Sequence, residues 1–284
     1  LSATTVNQSA GANGTVGTLS ATDADDNAFT FTLVAGAGST DNASFNISGT
    51  TLRADNAGVL AAGTYSVRVQ ADDGRTAGTY AEALTITVVD DVAPAAPSVP
   101  DLAAASDSGI SNTDNVTNDT TPTFSGTAEA GSTVEVLRAG NVSLGTTAAD
   151  GAGGWTFTPG IALSEGTHTI TASATDAAAN TSAASAGLAV TIDLTGPTVA
   201  SVAVPANGTY ISGQNLDFTV NWSESVTVDT GTPTLAITVG LSTRSATYLS
   251  GSGTSALVFR YTIQNGDLDS DGVAVGMLSL EGGT

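Results

Sequence analysis

Apolar and polar residues alternate in short runs along most of the chain, at residues 15–22, 28–34, 64–71, 83–89, 121–127, 132–137, 167–174, 188–192, 216–222, 235–239 and 256–263. A period of two places successive side chains on opposite faces of a strand, and no stretch sustains the period of 3.6 that a helix needs. Gly, Asn, Asp and Pro separate the runs, as turns between short antiparallel strands require. The Ala-rich pieces 93–105 and 177–186 carry Pro, Ser and Asn and are read as connections. The spacing predicts an all-β protein of antiparallel Greek-key β-sandwiches.

Proline and acid mark the divisions. The strand TITVVDD runs into Asp90-Asp91-Val-Ala-Pro94, and LAVTID ends at Asp193 before Leu-Thr-Gly-Pro197. Each reads as a last strand, an acidic linker and a proline that stops the pairing. The two exits, at Asp90 and Asp193, lie 103 residues apart, one sandwich in length. Between them runs an internal repeat: GTYSVRVQADD, residues 63–73, matches GTHTITASATD, residues 166–176, position by position. Tyr65, Val67, Val69 and Ala71 correspond to His168, Ile170, Ala172 and Ala174, and in both copies the exit acid follows 17 residues after the loop acid. Three tandem domains are expected, at 1–91, 92–194 and 195–284, extended end to end. The last, with Leu216, Phe218, Val220 and Trp222 on one strand face, shows no third exit and is expected to lack its final strand or strands. Either the molecule continues or a neighbouring chain supplies the strand. With neither Met nor a signal segment at its start, the sequence reads as a piece of a longer exported chain.

Charge sharpens this picture. Against 27 Asp and Glu stand six basic residues, all Arg, for a net charge of −21. Six scattered Arg cannot form the basic face that nucleic acid demands. No apolar run is long enough to span a membrane, and the absence of Cys rules out disulfides and thiolate metal sites. Of the acids, 21 are Asp. Asp favours turns and ligates hard cations where several carboxylates converge from loops. Acidity for solubility or for a saline habitat is the alternative.

The acids fall at expected loop ends. Domain one offers Asp23, Asp25 and Asp26 in TDADD, with Asp73. Domain two offers Glu129, Asp176 and Asn180, fed by the linker acids Asp90 and Asp91. Domain three offers Glu224 in WSES and Asp267, Asp269 and Asp271 in DLDSDG, fed by Asp193. Carboxylates held this close repel unless a cation lies between them, and calcium, with six to eight oxygen ligands in flexible geometry, suits acids drawn from several loops. A second cluster, Asp107, Asp114 and Asp119 in SDSGISNTDNVTND, is expected at the opposite end of domain two, near Asp193, either as an ion site or as a loop of Asx turns. DLDSDG opens like an EF-hand loop, but Leu278 stands where the bidentate Glu belongs and no helices flank it. His168, the only histidine, lies on an inward strand face and reads as structural, as do Trp155 and Trp222. Carboxylates at tapered domain ends, with no aromatic cleft, give no catalytic constellation, so no enzyme is expected. Ten N-x-S/T sequons, Asn42, Asn141 and Asn207 among them, suit β-turns as well as glycosylation.

The exit strand with its Asp pair, TDADD and the loop acid of residues 1–91 resemble a bacterial cadherin-like domain. The Asp-Arg-Glu motif of animal cadherins is replaced by Gly58-Val-Leu-Ala-Ala, and the acid near the first strand by Gln8 and Ser9. Residues 94–194, with TPTFSGTAEAGSTVEV, GTHTITASATDAAAN and VTIDLTGP, resemble the bacterial Ig-like repeats of giant secreted adhesins, and residues 197–284 resemble a related repeat. The resemblance implies type I secretion, an extracellular cell-surface location, calcium ions that stiffen the junctions between neighbouring domains, and a spacer role in adhesion and biofilm. A filament or surface-layer subunit completed by inter-chain strand addition and an accessory module of a secreted polysaccharide-active enzyme are the alternatives.

Overall fold

A computed structural model describes residues 1–24, 28–75, 78–109 and 111–279. Among these, strands and turns are interrupted by single-turn 3-10 helices and by no α-helix. Among the described residues, no helix is long and apolar enough to cross a membrane. Contacts divide the chain into two compact units. The first comprises Leu1–Ala103, Thr121–Ala162 and His168–Val190; the second comprises Ala104–Thr120, Leu163–Thr167 and the chain from Thr191 onward.

The first seven strands are β1 (Thr5–Asn7), β2 (Ala12–Thr18), β3 (Thr30–Leu33), β4 (Phe45–Ser48), β5 (Thr51–Asn56), β6 (Gly63–Asp72) and β7 (Thr79–Val89). They form two sheets, β1-β7-β6-β3 and β2-β5-β4. The alternation predicted for β6 holds: Val67, Val69 and Ala71 point inward and are buried, while Ser66, Arg68 and Gln70 lie on the other face. Val67, Ile86 and Val88 of one sheet share a core cluster with Phe45, Leu52 and Ala54 of the other, so the two sheets form a sandwich. β1 pairs parallel with β7, Thr5 opposite Thr87 and Asn7 opposite Val89. Where β3 stops, side chains replace its ladder. Asp41 Oδ2 accepts the Ser66 N–H at 2.7 Å and Asn42 Oδ1 the Arg68 N–H at 2.8 Å. Tyr65 donates its hydroxyl to the Ala61 carbonyl at 2.8 Å, four residues upstream, which pins the corner where β6 begins.

The next strands are β8 (Asp101–Leu102), β9 (Val116–Thr117), β10 (Phe124–Thr127), β11 (Thr133–Arg138), β12 (Val142–Ala148), β13 (Gly154–Phe157), β14 (Gly166–Thr175) and β15 (Leu188–Ile192). Their sheets run β13-β10-β8 and β12-β11-β14-β15-β9. Ile170, Ala172 and Ala174 of β14 repeat the buried positions of β6, and His168 lies half-buried at the strand's start, as Tyr65 does. Phe124 is fully buried, a contribution of about 1.5–3 kcal/mol for a side chain of this kind. Two positions along the same strand, Gly126 pairs with Trp155, and its absent side chain makes room for the indole. A Cβ there would lie 2.6 Å from Trp155 Cζ2.

The last strands are β16 (Val199–Ala203), β17 (Asn215–Val226), β18 (Thr234–Val239), β19 (Ser242–Ser250), β20 (Thr254–Thr262) and β21 (Ala274–Ser279). Here one six-stranded sheet, β16-β17-β20-β19-β18-β21, replaces a pair of sheets. Four of its ladders carry register shifts, and such bulges bend and twist strands. The sheet thereby curls round a single cluster that holds Phe218, Leu235, Ile237 and Phe259. Leu216, Phe218 and Val220 are buried on one face of β17, with Trp222 following half-buried, as their alternation predicts. Tyr210 donates to the Ala206 carbonyl at 2.6 Å, so the Ala-x-Gly-Thr-Tyr segment closes the same corner as the one ending at Tyr65.

Candidate functional site

The predicted acids assemble in three places, and elsewhere they remain apart. In the first unit, Asn180 joins two of them. Asp176 Oδ1 caps the turn after β14 by accepting the N–H groups of Ala178 and Asn180, both at 2.8 Å. Its Oδ2 accepts Asn180 Nδ2 at 2.9 Å. That amide bond, with burial opposing it, holds the Asp176 carboxyl below its ordinary value. Asn180 Nδ2 also reaches the Asp90 carbonyl at 3.3 Å and Asp90 Oδ1 at 3.5 Å. Asp90, Asp176 and Asn180 thus stand together at the linker, as the sequence predicts. Glu129 lies exposed in the turn between β10 and β11. Asp91 turns back to the start of the chain, where its two oxygens accept Ser9 N at 2.8 Å and Ser9 Oγ at 2.5 Å. The Ser9 bonds draw its carboxyl down from the ordinary value. The serine that replaces an acid near the first strand is therefore a direct hydrogen-bonding partner of the linker. Asp73 Oδ1 accepts the Arg75 N–H at 2.9 Å, and Asp23 borders a shallow groove with Phe29, Phe31 and Tyr80. Asp25 and Asp26 lie outside the described residues.

The second assembly lies wholly in the second unit. β9 pairs parallel with the end of β15, Val116 opposite Thr191 and Thr117 opposite Ile192, and Asp193 N continues the ladder to the Thr117 carbonyl. The pairing carries the loop 106–119 to the acidic linker. A cleft of about 420 Å³ opens there, lined by Asp114, Asn118, Asp193, Thr195 and Glu224 among others. Asp114 Oδ1 accepts the Val116 N–H and Asp193 Oδ1 the Thr195 N–H, at 3.1 and 3.0 Å. These are Asx turns, in which one oxygen shapes the loop. The second oxygen of each carboxylate is left for another ligand. Asn115, between them, adopts φ 61°, a left-handed conformation that Asn tolerates. Asp107 precedes the cleft residue Ser108 and is 5% exposed. Its Oδ2 accepts the Asn115 N–H at 3.2 Å, whereas its Oδ1 is buried with no hydrogen-bond partner. Asp119 Oδ2 accepts the Ser106 hydroxyl at 3.1 Å.

The third assembly departs from the expected grouping. Glu224 lies within the C-terminal half of β17, not in a loop after it, whereas Asp267, Asp269 and Asp271 follow β20. The ladder sets Thr262, the end of β20, against Asn215, the start of β17. Glu224 and the DLDSDG loop therefore occupy opposite ends of the sheet, because antiparallel neighbours turn at opposite ends. Asp267 meets Arg244 instead: Arg244 Nε and Nη2 donate to its Oδ1 at 3.1 and 2.9 Å. Its Oδ2 accepts the Tyr261 hydroxyl and the Gln264 N–H. The hydroxyl, the N–H and the guanidinium together hold the Asp267 carboxyl below its ordinary value. Nothing in the sequence pattern announces this partnership, since Arg244 lies on β19, 23 residues away.

Among the described residues, no three of His, Cys, Asp and Glu stand close enough to hold a metal ion between them. The donor chemistry of the cleft nevertheless fits a hard cation: carboxylate and amide oxygens line it, and a buried, unsatisfied carboxylate oxygen of Asp107 adjoins its lining residue Ser108.

Residues 93–194 match the family model of the bacterial Ig-like domain. This stretch covers β8 to β15, and its loops carry Asp107, Asp114, Asp119, Asp176 and Asn180. No curated protein matches the chain. Among solved structures, the chain is similar to the BSP domain of a biofilm-associated protein at 18% identity, over 68% of this chain and 29% of that one, with a TM-score of 0.26. It is also similar to a bacterial ice-binding adhesin concerned with host cell surface retention, at 14% identity over 91% of this chain and 83% of that one, TM-score 0.36. Drosophila N-cadherin EC1-3 matches at 15% identity over 67% of this chain and 63% of that one, TM-score 0.23.

Proposed function

We propose that the chain is a spacer region of a bacterial cell-surface adhesin whose domain junctions are tied by calcium. The observation that carries the reading is the cleft at the second linker, which Asp114, Asp193 and Glu224 line, while the loop that feeds it holds the buried, unpartnered Asp107 oxygen one residue before the lining Ser108. An unsatisfied buried carboxylate oxygen costs about 1–3 kcal/mol or more for a charged group, a cost that a cation relieves. When bound, calcium supplies two positive charges and room for six to eight oxygens. Asp107, Asp114, Asp193 and Glu224 are the carboxylates that would hold it, with Asn118 contributing an amide oxygen. Asp114, Asn118, Asp193 and Glu224 line the cleft and Asp107 adjoins it without converging, so they close on the ion by drawing the loop around Asp107 and Asp114, the linker and the end of β17 together. Without the ion their mutual repulsion keeps the linker loose; with it, domain follows domain in a stiffened series. Asp90, Asp176 and Asn180 form the corresponding group at the first linker. The Ig-like match of residues 93–194 supports the adhesin part of the reading.

The test is thermal unfolding together with small-angle scattering, each with calcium and with chelator. The expected result is a rise in the unfolding temperature and a longer maximum dimension on adding the ion. If both stay constant up to millimolar calcium, the junctions are not ion-tied.

A further inference from the structure

The loop after β20 is built round a cation that the chain itself supplies. The Asp267 side chain is 2% exposed, and its two oxygens accept Arg244 Nε, Arg244 Nη2, the Tyr261 hydroxyl and the Gln264 N–H. Asp269 is similarly committed: Oδ1 accepts the N–H groups of Asp271 and Gly272, and Oδ2 that of Gly240 across the loops. Four oxygens thus take seven hydrogen bonds, close to the capacity of two carboxylates. The planar guanidinium presents a fork of donors that a point charge cannot imitate. A calcium ion at Asp267 would have to displace Arg244, leaving a guanidinium facing it at short range.

We propose that Arg244 is a built-in counter-ion that closes the Asp267-Leu-Asp-Ser-Asp-Gly272 loop without metal and excludes divalent cations from it. Arg244 then determines specificity among the chain's acidic loops. Asp114 and Asp193 at the second linker each commit one oxygen to an Asx turn, while this loop, which most resembles a calcium loop in sequence, is already neutralised. The claim is independent of calcium binding at the cleft, and its readouts are local to Arg244 and Tyr261.

Two experiments test it. In the unmodified chain, NMR follows the Arg244 Nε–H resonance through a calcium titration. The expected outcome is no movement up to concentrations that saturate any other site, and a shift or loss of the signal that saturates with calcium overturns the proposal. In the second experiment, Arg244→Gln, Arg244→Lys and the parent chain are titrated with terbium, with excitation through tyrosine, since Tyr261 touches the same carboxylate. Arg244→Gln is expected to gain severalfold emission that disappears when Asp267→Asn or Tyr261→Phe is added. Arg244→Lys, which keeps the charge, and the parent are expected to show no emission that depends on Asp267. Asp267-dependent emission from the parent, or none from a folded Arg244→Gln chain, overturns the proposal. If circular dichroism shows Arg244→Gln unfolded, the NMR titration of the parent decides alone.

Discussion

Asp107→Asn removes one charge from the buried carboxylate that adjoins the cleft and keeps its shape. Oδ1 of Asp107 is buried without a partner while Oδ2 accepts the Asn115 N–H. An asparagine oxygen can keep that second bond, so the variant loses a desolvated charge and little else. Leaving such a group unsatisfied costs about 1–3 kcal/mol, and the variant's stability in chelator is therefore expected to equal or exceed that of the parent. Calcium is expected to reverse the order. An ion at 100 times its dissociation constant stabilises the folded state by about 2.7 kcal/mol. For a cooperative unit of about 60–100 residues this amounts to a rise on the order of 10 °C or more. Asp107→Asn is expected to forfeit most of that rise. The assay is differential scanning calorimetry of parent and variant, each in chelator and in excess calcium. The chain has two compact units, so separate transitions must be fitted and a single two-state value does not apply. A variant with the parent's full calcium-induced rise would falsify the assignment of Asp107 to the site. A variant much less stable than the parent in chelator would show that the carboxylate has a protein partner after all.

Other consequences follow from packing and charge. Phe218→Ala opens a cavity in the core of the curled sheet, where the ring is fully buried, and is expected to cost about 3–5 kcal/mol in urea unfolding. A loss under 1 kcal/mol would mean the sheet does not enclose that side chain. Gly240→Ala sets a Cβ 2.2 Å from the Leu268 carbonyl oxygen at φ 57°. It should lower stability by more than the ~1 kcal/mol of an ordinary left-handed alanine, with the loss concentrated in hydrogen exchange of the turns on either side. The Arg260 guanidinium, hydrogen-bonded through Nε and Nη2, holds the Asp217 carboxyl below its ordinary value. A carboxyl lowered in the folded state contributes stability above its unfolded pKa and loses it as pH falls through the folded value. Asp217→Asn should therefore flatten the acid limb of the stability curve below about pH 4 and leave its slope near neutrality unchanged; an unaltered acid limb refutes the assignment.

How much was legible beforehand depended on which interactions follow a period. Strands whose inward residues are large and apolar, such as β6, β14 and β17, announce themselves, because burial imposes the alternation. β12 and β19 did not: their sequences are VSLGTTA and STRSATYLS, and in β19 only Ala246 is buried. Strands held mainly by their backbone ladders leave little trace in side-chain pattern. The short β1, β8 and β9 escape for the same reason. Among the acids, an Asx turn was legible only in the loop of Asp114, where it was one of two readings; Asp176 and Asp193 make the same turn, each carboxylate accepting an N–H two residues on. Partners distant in sequence stayed hidden. Ser9 with Asp91, and Arg244 with Asp267, are joined only by the fold, and the misplacement of Glu224 beside the DLDSDG loop came from assuming a strand order that β17 and β20 do not follow. The buried, unpartnered oxygen of Asp107 is likewise a property of packing, and composition cannot reveal it.

The parallel pairing of β1 with β7 has a mechanical consequence. Since both strands run the same way, a pull applied at Thr5 and at Val89 draws them past each other along their length. The hydrogen bonds between Thr5–Asn7 and their partners are then loaded together, in shear, and cannot open one at a time like a zipper. The pairing of β9 with β15 repeats the arrangement beside the second linker. A chain built this way would hold against tension until a whole ladder gives, and a single-molecule stretching record would show it as one abrupt rupture per parallel pair.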